Sequence, residues 1–150
     1  VSTQKKRGYL KAMSANGLPV TEDHICSGSY SFRTGYQATK HFMQCSEPPT
    51  GIVAANDIIA IGCCKYLHLN DYRIPQDVSI VGMDGIQLSR IYDPSITTMA
   101  IPIPAMCTEA VNLLINKINH PTSKTRQSLF ESELMVGRST NENAPLYLEF

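Results

Sequence analysis

Tryptophan is absent from this 150-residue chain, aromatic residues make up 7% of it, and neither sign of charge prevails, 13 Lys and Arg balancing 13 Asp and Glu. The basic residues are scattered apart from Lys5-Lys6-Arg7. That leaves no electrostatic footprint for nucleic acid, so the chain is not expected to hold DNA by itself. No apolar run approaches the roughly twenty residues needed to cross a bilayer. The opening Val1-Ser-Thr-Gln-Lys-Lys also lacks a hydrophobic signal region, so a soluble cytoplasmic protein with no membrane partner is expected. The five cysteines, Cys26, Cys45, Cys63, Cys64 and Cys107, are odd in number and contain no Cys-x-x-Cys pair. Reduced thiols follow from that count, since adjacent Cys63 and Cys64 point to different faces of a helix. The histidines His24, His41, His68 and His120 lie too far apart for zinc-ligand spacing, so no metal is expected. A Gly-x-Gly-x-x-Gly turn, a Gly-x-x-x-x-Gly-Lys-Ser/Thr loop and a local nucleophile-base pair are all missing, which argues against a nucleotide-using enzyme and leaves no cofactor to assign.

What is present is apolar content of 43%, enough for one domain of ordinary size with a sizeable core. The organising stretch is Gly51-Ile-Val-Ala-Ala-Asn-Asp-Ile-Ile-Ala-Ile-Gly-Cys-Cys. Ile52 to Ala55 form an apolar run too short for a helix, and after Asn56-Asp57 the apolar residues switch to helical spacing, as in a strand turning into a helix. A second run, with Val78, Ile80 and Val81, ends at Gly82-Met83-Asp84-Gly85, where glycines let the backbone turn and a carboxylate is left at the strand tip. Two strands joined by such a helix form a right-handed parallel βαβ unit. Ligands of these sheets bind beyond the carboxyl ends of the strands, where Asn56 and Asp84 would sit.

Around that unit, Tyr9, Leu10 and Met13 give a helix from about Thr3 to Asn16, stopped by Gly17 and Pro19. His24-Ile-Cys reads as a short extended segment that places Tyr30 after a strand. Ser31 or Thr34 can cap a helix carrying Tyr36, Phe42 and Met43, which Pro48-Pro49 ends. The helix from Asp57 to about Asn70 is apolar on more than one face, which predicts a partner on its outer side. Gly85 to Pro94 reads as a loop or single helical turn, and Ser95 to Met99 as extended. Pro102 and Pro104 open a third long helix with Met106, Val111, Leu114 and Ile118 on its apolar side. The stretch from Leu129 to Val136 alternates as a strand, before a polar tail from Asn141.

These pieces, in order and spacing, resemble the effector-binding region of the lactose-repressor (LacI/GalR) family of bacterial transcription regulators. The similarity runs from Gly8-Tyr-Leu-Lys-Ala-Met and Gly17-Leu-Pro through Gly28-Ser-Tyr-Ser, Thr34-Gly-Tyr and Pro49-Thr-Gly-Ile-Val-Ala-Ala-Asn-Asp. It continues through Ile74-Pro-Gln-Asp-Val-Ser-Ile-Val-Gly-Met-Asp and Asp93-Pro-Ser-Ile-Thr-Thr to Glu133-Leu-Met-Val-Gly-Arg-Ser-Thr. The resemblance implies an α/β, Rossmann-like parallel sheet flanked by helices, shared with periplasmic sugar-binding proteins. This chain corresponds to the C-terminal half. Residues 1–99 would form the C-terminal effector-binding subdomain, 100–132 a crossover whose long helix belongs to the other subdomain, and 133–150 a return strand and tail. With that other subdomain missing, the crossover helix is expected to be displaced, folded back, or exchanged between copies.

Sugars present adjacent hydroxyls, which a carboxylate and an amide can bind while an aromatic ring covers the apolar face. Asp84, Asn56 and Tyr30 suit those roles. The plainer alternatives are a turn-forming aspartate, a helix cap and an exposed loop aromatic. Asp57 is an equally good cap, so the ligand role goes to Asn56 and the cap to Asp57. Lys5, otherwise a solvated helix charge, takes a ligand role through the resemblance alone, standing where the family usually has an arginine. Ser29 replaces the family's usual aspartate and Met83 its usual aromatic, so these positions do not carry the family's effector over to this chain. Ile61 and Tyr92 match family positions at a homodimer interface. The expected function is sensing of a small polar effector, a sugar or sugar derivative, in a dimeric regulator that is not an enzyme and reaches operator DNA only through a helix-turn-helix absent here. The alternatives are a periplasmic sugar receptor, disfavoured by the free cysteines and missing signal region, and a fragment of a nucleotide-using α/β enzyme.

Overall fold

The structure, a computed structural model, describes residues 3–124, 126–141 and 143. Most of the polar tail expected from Asn141 lies outside them. In chain order the elements are α1 (Thr3–Ala15), a 3-10 turn (Glu22–His24), α2 (Phe32–Phe42), β1 (Gly51–Val53), α3 (Asp57–Leu69) and β2 (Ser79–Asp84). They continue with α4 (Gln87–Ile91), β3 (Thr97–Ala100), α5 (Ile103–Asn119) and β4 (Glu133–Met135). The sheet order is β1-β2-β3-β4, with the first three strands parallel and β4 antiparallel to β3. The α/β architecture expected from the alternation of strand and helix patterns is therefore the observed one.

Parallel register places Ile52 opposite Ile80 and Gly82 opposite Thr98. These residues are buried, and α3 packs on β2. Leu67 and Ile80 are fully enclosed, each worth about 1.5–3 kcal/mol of burial. On its other side α3 meets α2 backbone to backbone: a Cβ at Gly35 would collide with the Ile59 carbonyl, and one at Gly62 with the Phe32 carbonyl. This close contact corrects the reading of α3 as a helix with a spare apolar face. Ile61 is only 5% exposed and belongs to the chain's own core, so it is not an open interface residue. Tyr92 is also packed against that core, though partly exposed.

Two further expectations change. Residues Glu22–His24 form a 3-10 turn closed by Ile25 N–H to the Glu22 carbonyl (3.0 Å), and the segment leading to Tyr30 pairs with no strand, leaving β1 at the sheet edge. Local turn bonds, and the His24 ring reaching the Glu47 carbonyl at 3.2 Å, take the place of a ladder there. The crossover helix α5 has no buried residue, and its stripe remains open from Met106 (40% exposed) to Ile118 (67%). It stands off rather than folding back, and the helix that packs on the sheet is α3.

The last described turn locks the sheet. Ser139 Oγ donates to the Ile80 carbonyl at 2.6 Å and accepts from Thr97 N–H at 2.8 Å, while Gly137 N–H donates to Thr97 Oγ1 at 2.8 Å. At the opposite, carboxyl end of the strands, the buried Asp57 carboxylate accepts from Thr98 Oγ1 at 2.6 Å and from Ile86 N–H at 2.9 Å. Gly82 leaves room for it, since a Cβ there would overlap Asp57 Oδ1. Asp57→Ala leaves the Thr98 hydroxyl and the Ile86 N–H without their acceptor and is expected to cost about 3 kcal/mol in urea unfolding. A variant as stable as the wild type would show that the carboxylate does not organise this end of the sheet.

Candidate functional site

Three parallel strands end on the same edge of the fold, and the polar groups there come from the residues that follow β1 and close β2. Asn56, in extended conformation (φ −156°, ψ 173°), caps α3 by accepting from Ile59 N–H through Oδ1 at 2.9 Å. Asp57 does not cap. Its side chain turns under the sheet end to Thr98 and Ile86, so the two roles expected at the start of α3 are exchanged as far as capping goes. The physical reason is positional: the residue before the first helical turn, with β geometry, is the one whose oxygen meets the free N–H groups. The cap uses only Oδ1, so the Nδ2 hydrogens of Asn56 remain as donors at the strand tip.

Asp84 ends β2 with a φ of +107°, followed by Gly85 at +72°. A positive φ costs a non-glycine residue about 1–3 kcal/mol, and such strain concentrates at binding sites. It is held here by the Asp57 bond to Ile86 and by Gly85 N–H donating to Thr98 Oγ1 at 3.2 Å. Gly85 itself must lack a side chain, because a Cβ would strike Ala100.

Lys5 joins this group from α1. Its Nζ donates to the Ala55 carbonyl at 2.8 Å, lies 3.4 Å from Asp84 Oδ1, and stands 5.9 Å from the centroid of the Tyr30 ring. Ammonium, carboxylate, the backbone carbonyl of Ala55 and an aromatic face thus converge from parts of the chain up to 79 residues apart. Tyr30 is 48% exposed, and its loop is fixed by a triangle of hydroxyls, Ser29, Ser31 and Thr34, with Oγ separations of 3.0 to 3.2 Å. Ser31 also caps α2 through Thr34 N–H. Sequence reasoning named Asp84, Asn56, Tyr30 and Lys5, and the structure brings the three side chains Asp84, Tyr30 and Lys5 together beside Ala55-Asn56. It missed the Ala55 carbonyl, an acceptor two residues past β1, and the Asp57–Thr98 pair. A threonine on the helix-covered face of β3 was the available signal for a buried carboxylate partner.

The thiols play no part in this cluster. Burial pushes the Cys63 thiol up to about 11 and raises Cys64 further, which keeps both protonated and unreactive. Among the described residues no group of three His, Cys, Asp or Glu could hold a metal ion, and no helix is long and apolar enough to cross a membrane.

Polar groups converging beyond the carboxyl ends of parallel strands lie where α/β sheets of this kind hold their ligands. Residues 1–140 match the periplasmic binding protein-like domain, and the chain belongs to that family. It is 30% identical over 135 residues to the probable HTH-type transcriptional repressor ExuR of Bacillus subtilis, covering 90% of this chain but 40% of that protein. The chain therefore spans well under half the length of the repressor it matches. Among solved structures it resembles a putative LacI transcriptional regulator from Bacillus cereus subsp. cytotoxis, with TM-score 0.84 and 26% identity over 88% of this chain and 47% of that one. It also resembles a LacI-family regulator from Enterococcus faecium with bound ribose, with TM-score 0.79 and 27% identity over 89% of this chain and 49% of that one. All three bear the names of transcriptional regulators or repressors, the Enterococcus protein that of the LacI family.

Loss of the Asn56 cap separates stability from binding. Asn56→Asp keeps an oxygen for Ile59 N–H and should preserve stability, whereas Asn56→Ala is expected to lose about 1 kcal/mol. Thermal unfolding of the two variants side by side is the check, and an alanine variant as stable as the wild type would remove the cap from the account.

Proposed function

We propose that this chain is the effector-sensing part of a LacI-family transcription regulator, taking a neutral sugar or sugar derivative at Asp84, Asn56, Tyr30 and Lys5. The observation that carries the proposal is the convergence of those groups at the strand tips. Asp84 supplies two oxygens that accept from adjacent hydroxyls, Asn56 Nδ2 and Lys5 Nζ donate to hydroxyl oxygens, and the Tyr30 ring covers the apolar face of a sugar. The charges of Lys5 and Asp84 cancel. A neutral ligand thus adds no unpaired charge, whereas a phosphate or carboxylate would compete with Asp84 for one ammonium. The ribose held by the Enterococcus regulator supports this ligand class.

No bond is made or broken. In the full-length protein, which acts in the cytoplasm, effector binding shifts the balance between two arrangements of the effector-binding subdomains, by no more than its difference in affinity for them. DNA is read by a helix-turn-helix outside this chain. We further propose a homodimer, formed through the surface of α4, where Leu88 and Ile91 are exposed beside Tyr92. This replaces Ile61 as the interface residue, since apolar side chains already buried have nothing to gain from a partner.

In the full-length protein, Asp84→Asn is expected to abolish the response to effector in operator-binding assays while leaving effector-free DNA binding intact, because only the hydroxyl pair loses its acceptor. Unchanged induction would sink the site assignment. For the dimer, Leu88→Asp combined with Ile91→Asp is expected to give monomers in sedimentation velocity at micromolar concentration, and a surviving dimer would place the interface elsewhere.

A further inference from the structure

Two of the cysteines are placed unlike the rest. Cys63 and Cys64 are buried and Cys107 lies on α5, whereas Cys26 is exposed and Cys45 half-buried. Both belong to segments that meet. The His24 ring reaches the Glu47 carbonyl at 3.2 Å, with Cys26 two residues past one end of that contact and Cys45 two residues before the other. A second constraint comes from α2. Cys26 lines the same cavity as Ala38 and Phe42 of that helix, and Cys45 follows those two in the i, i+4, i+7 spacing of one helix face. It stays against the last turn, its N–H donating to the Phe42 carbonyl at 3.2 Å and its Sγ to the His41 carbonyl at 3.5 Å. The two thiols also feel one another, since burial and then Cys45 push the Cys26 thiol up.

We propose that Cys26 and Cys45 are a reversible disulfide site, oxidised by a small-molecule disulfide, which ties the segment leading to Tyr30 to the end of α2. The more exposed Cys26, as thiolate, attacks one sulfur of the small disulfide, forming a mixed disulfide and releasing one thiolate. Cys45, as thiolate, then attacks the Cys26 sulfur and expels the second. The two protons given up by the cysteines go to the two thiolates released, so two protein thiols are oxidised and one small disulfide is reduced to two thiols. Because the segment carrying Cys26 pairs with no strand, the bond closes without breaking a ladder. In a reducing compartment the pair remains as thiols, and it closes when the balance turns oxidising.

Peptide mapping of the full-length protein tests the site, after native incubation with oxidised glutathione and quenching by alkylation. Trypsin combined with a protease that cuts before Asp57 separates Cys45 from Cys63 and Cys64. The expected product is a Cys26–Cys45 crosslink within one molecule that dithiothreitol removes. In Cys45→Ser the glutathione held on Cys26 has no second thiol to displace it, and that mixed disulfide should accumulate at least about tenfold over the wild type. A link from Cys26 to Cys63, a link between copies, or glutathione stably held on Cys26 of the wild type would each overturn the proposal. So would free thiols at both positions in a large excess of oxidised glutathione.

Discussion

The arrangement depends on one buried carboxylate. Asp57 has no exposed surface, yet it touches three separate parts of the fold: it opens α3, accepts from Thr98 on β3, and accepts from the backbone of Ile86 just past β2. A charge removed from water must be hydrogen-bonded to persist, so each of these contacts is obligatory. Their joint effect is to hold the 84–86 turn in its unusual conformation. Asp84 is then presented at the strand tip at a φ that an unconstrained aspartate would leave. Asp84, the acceptor in the proposed site, is therefore positioned from beneath by the burial of Asp57.

Much of this was legible in the residues. Short apolar runs ending in Asn56-Asp57 and in Gly82-Met83-Asp84-Gly85 specify strands that stop at polar groups, and parallel pairing follows from the helix between them. That logic places Asn56 and Asp84 on one edge. The exchange of roles between Asn56 and Asp57 was not legible, because both side chains can cap a helix and only the backbone geometry decides which does. Nor was the fate of the apolar surface of α3. Periodicity shows that a helix is apolar on several sides but not which neighbour covers each, and here the close approach at Gly35 and Gly62 lets α2 cover one of them.

In His24-Ile-Cys, read as extended, Ile25 is extended (φ −122°, ψ 107°), but His24 belongs to the 3-10 turn and no strand forms, for a related reason. Strand propensity in a three-residue segment is weak, and Glu22-Asp23 offered a local turn that closes without a partner strand. The outcome matters for the cluster, since β1 is left as an edge and the Ala55 carbonyl just past it receives Lys5. It also leaves space between α1 and the sheet. The open stripe on α5 belongs to the same pattern: apolar spacing identified the helix, but the spacing is silent on whether its partner lies within the chain.

Electrostatics and shape then divide the labour of recognition. The Lys5–Asp84 pair is partly exposed and contributes little stability by itself, about 0–1 kcal/mol. Its consequence is instead a preorganised donor and acceptor of cancelling charge beneath an aromatic ring. The measurement that tests this most directly is a crystal structure of the full-length protein with its effector bound. The account predicts two ligand hydroxyls donating to the Asp84 carboxylate, with the Tyr30 ring against the ligand's apolar face. Effector bound away from the ends of β1 and β2, with Lys5 still seated on Asp84, would contradict it.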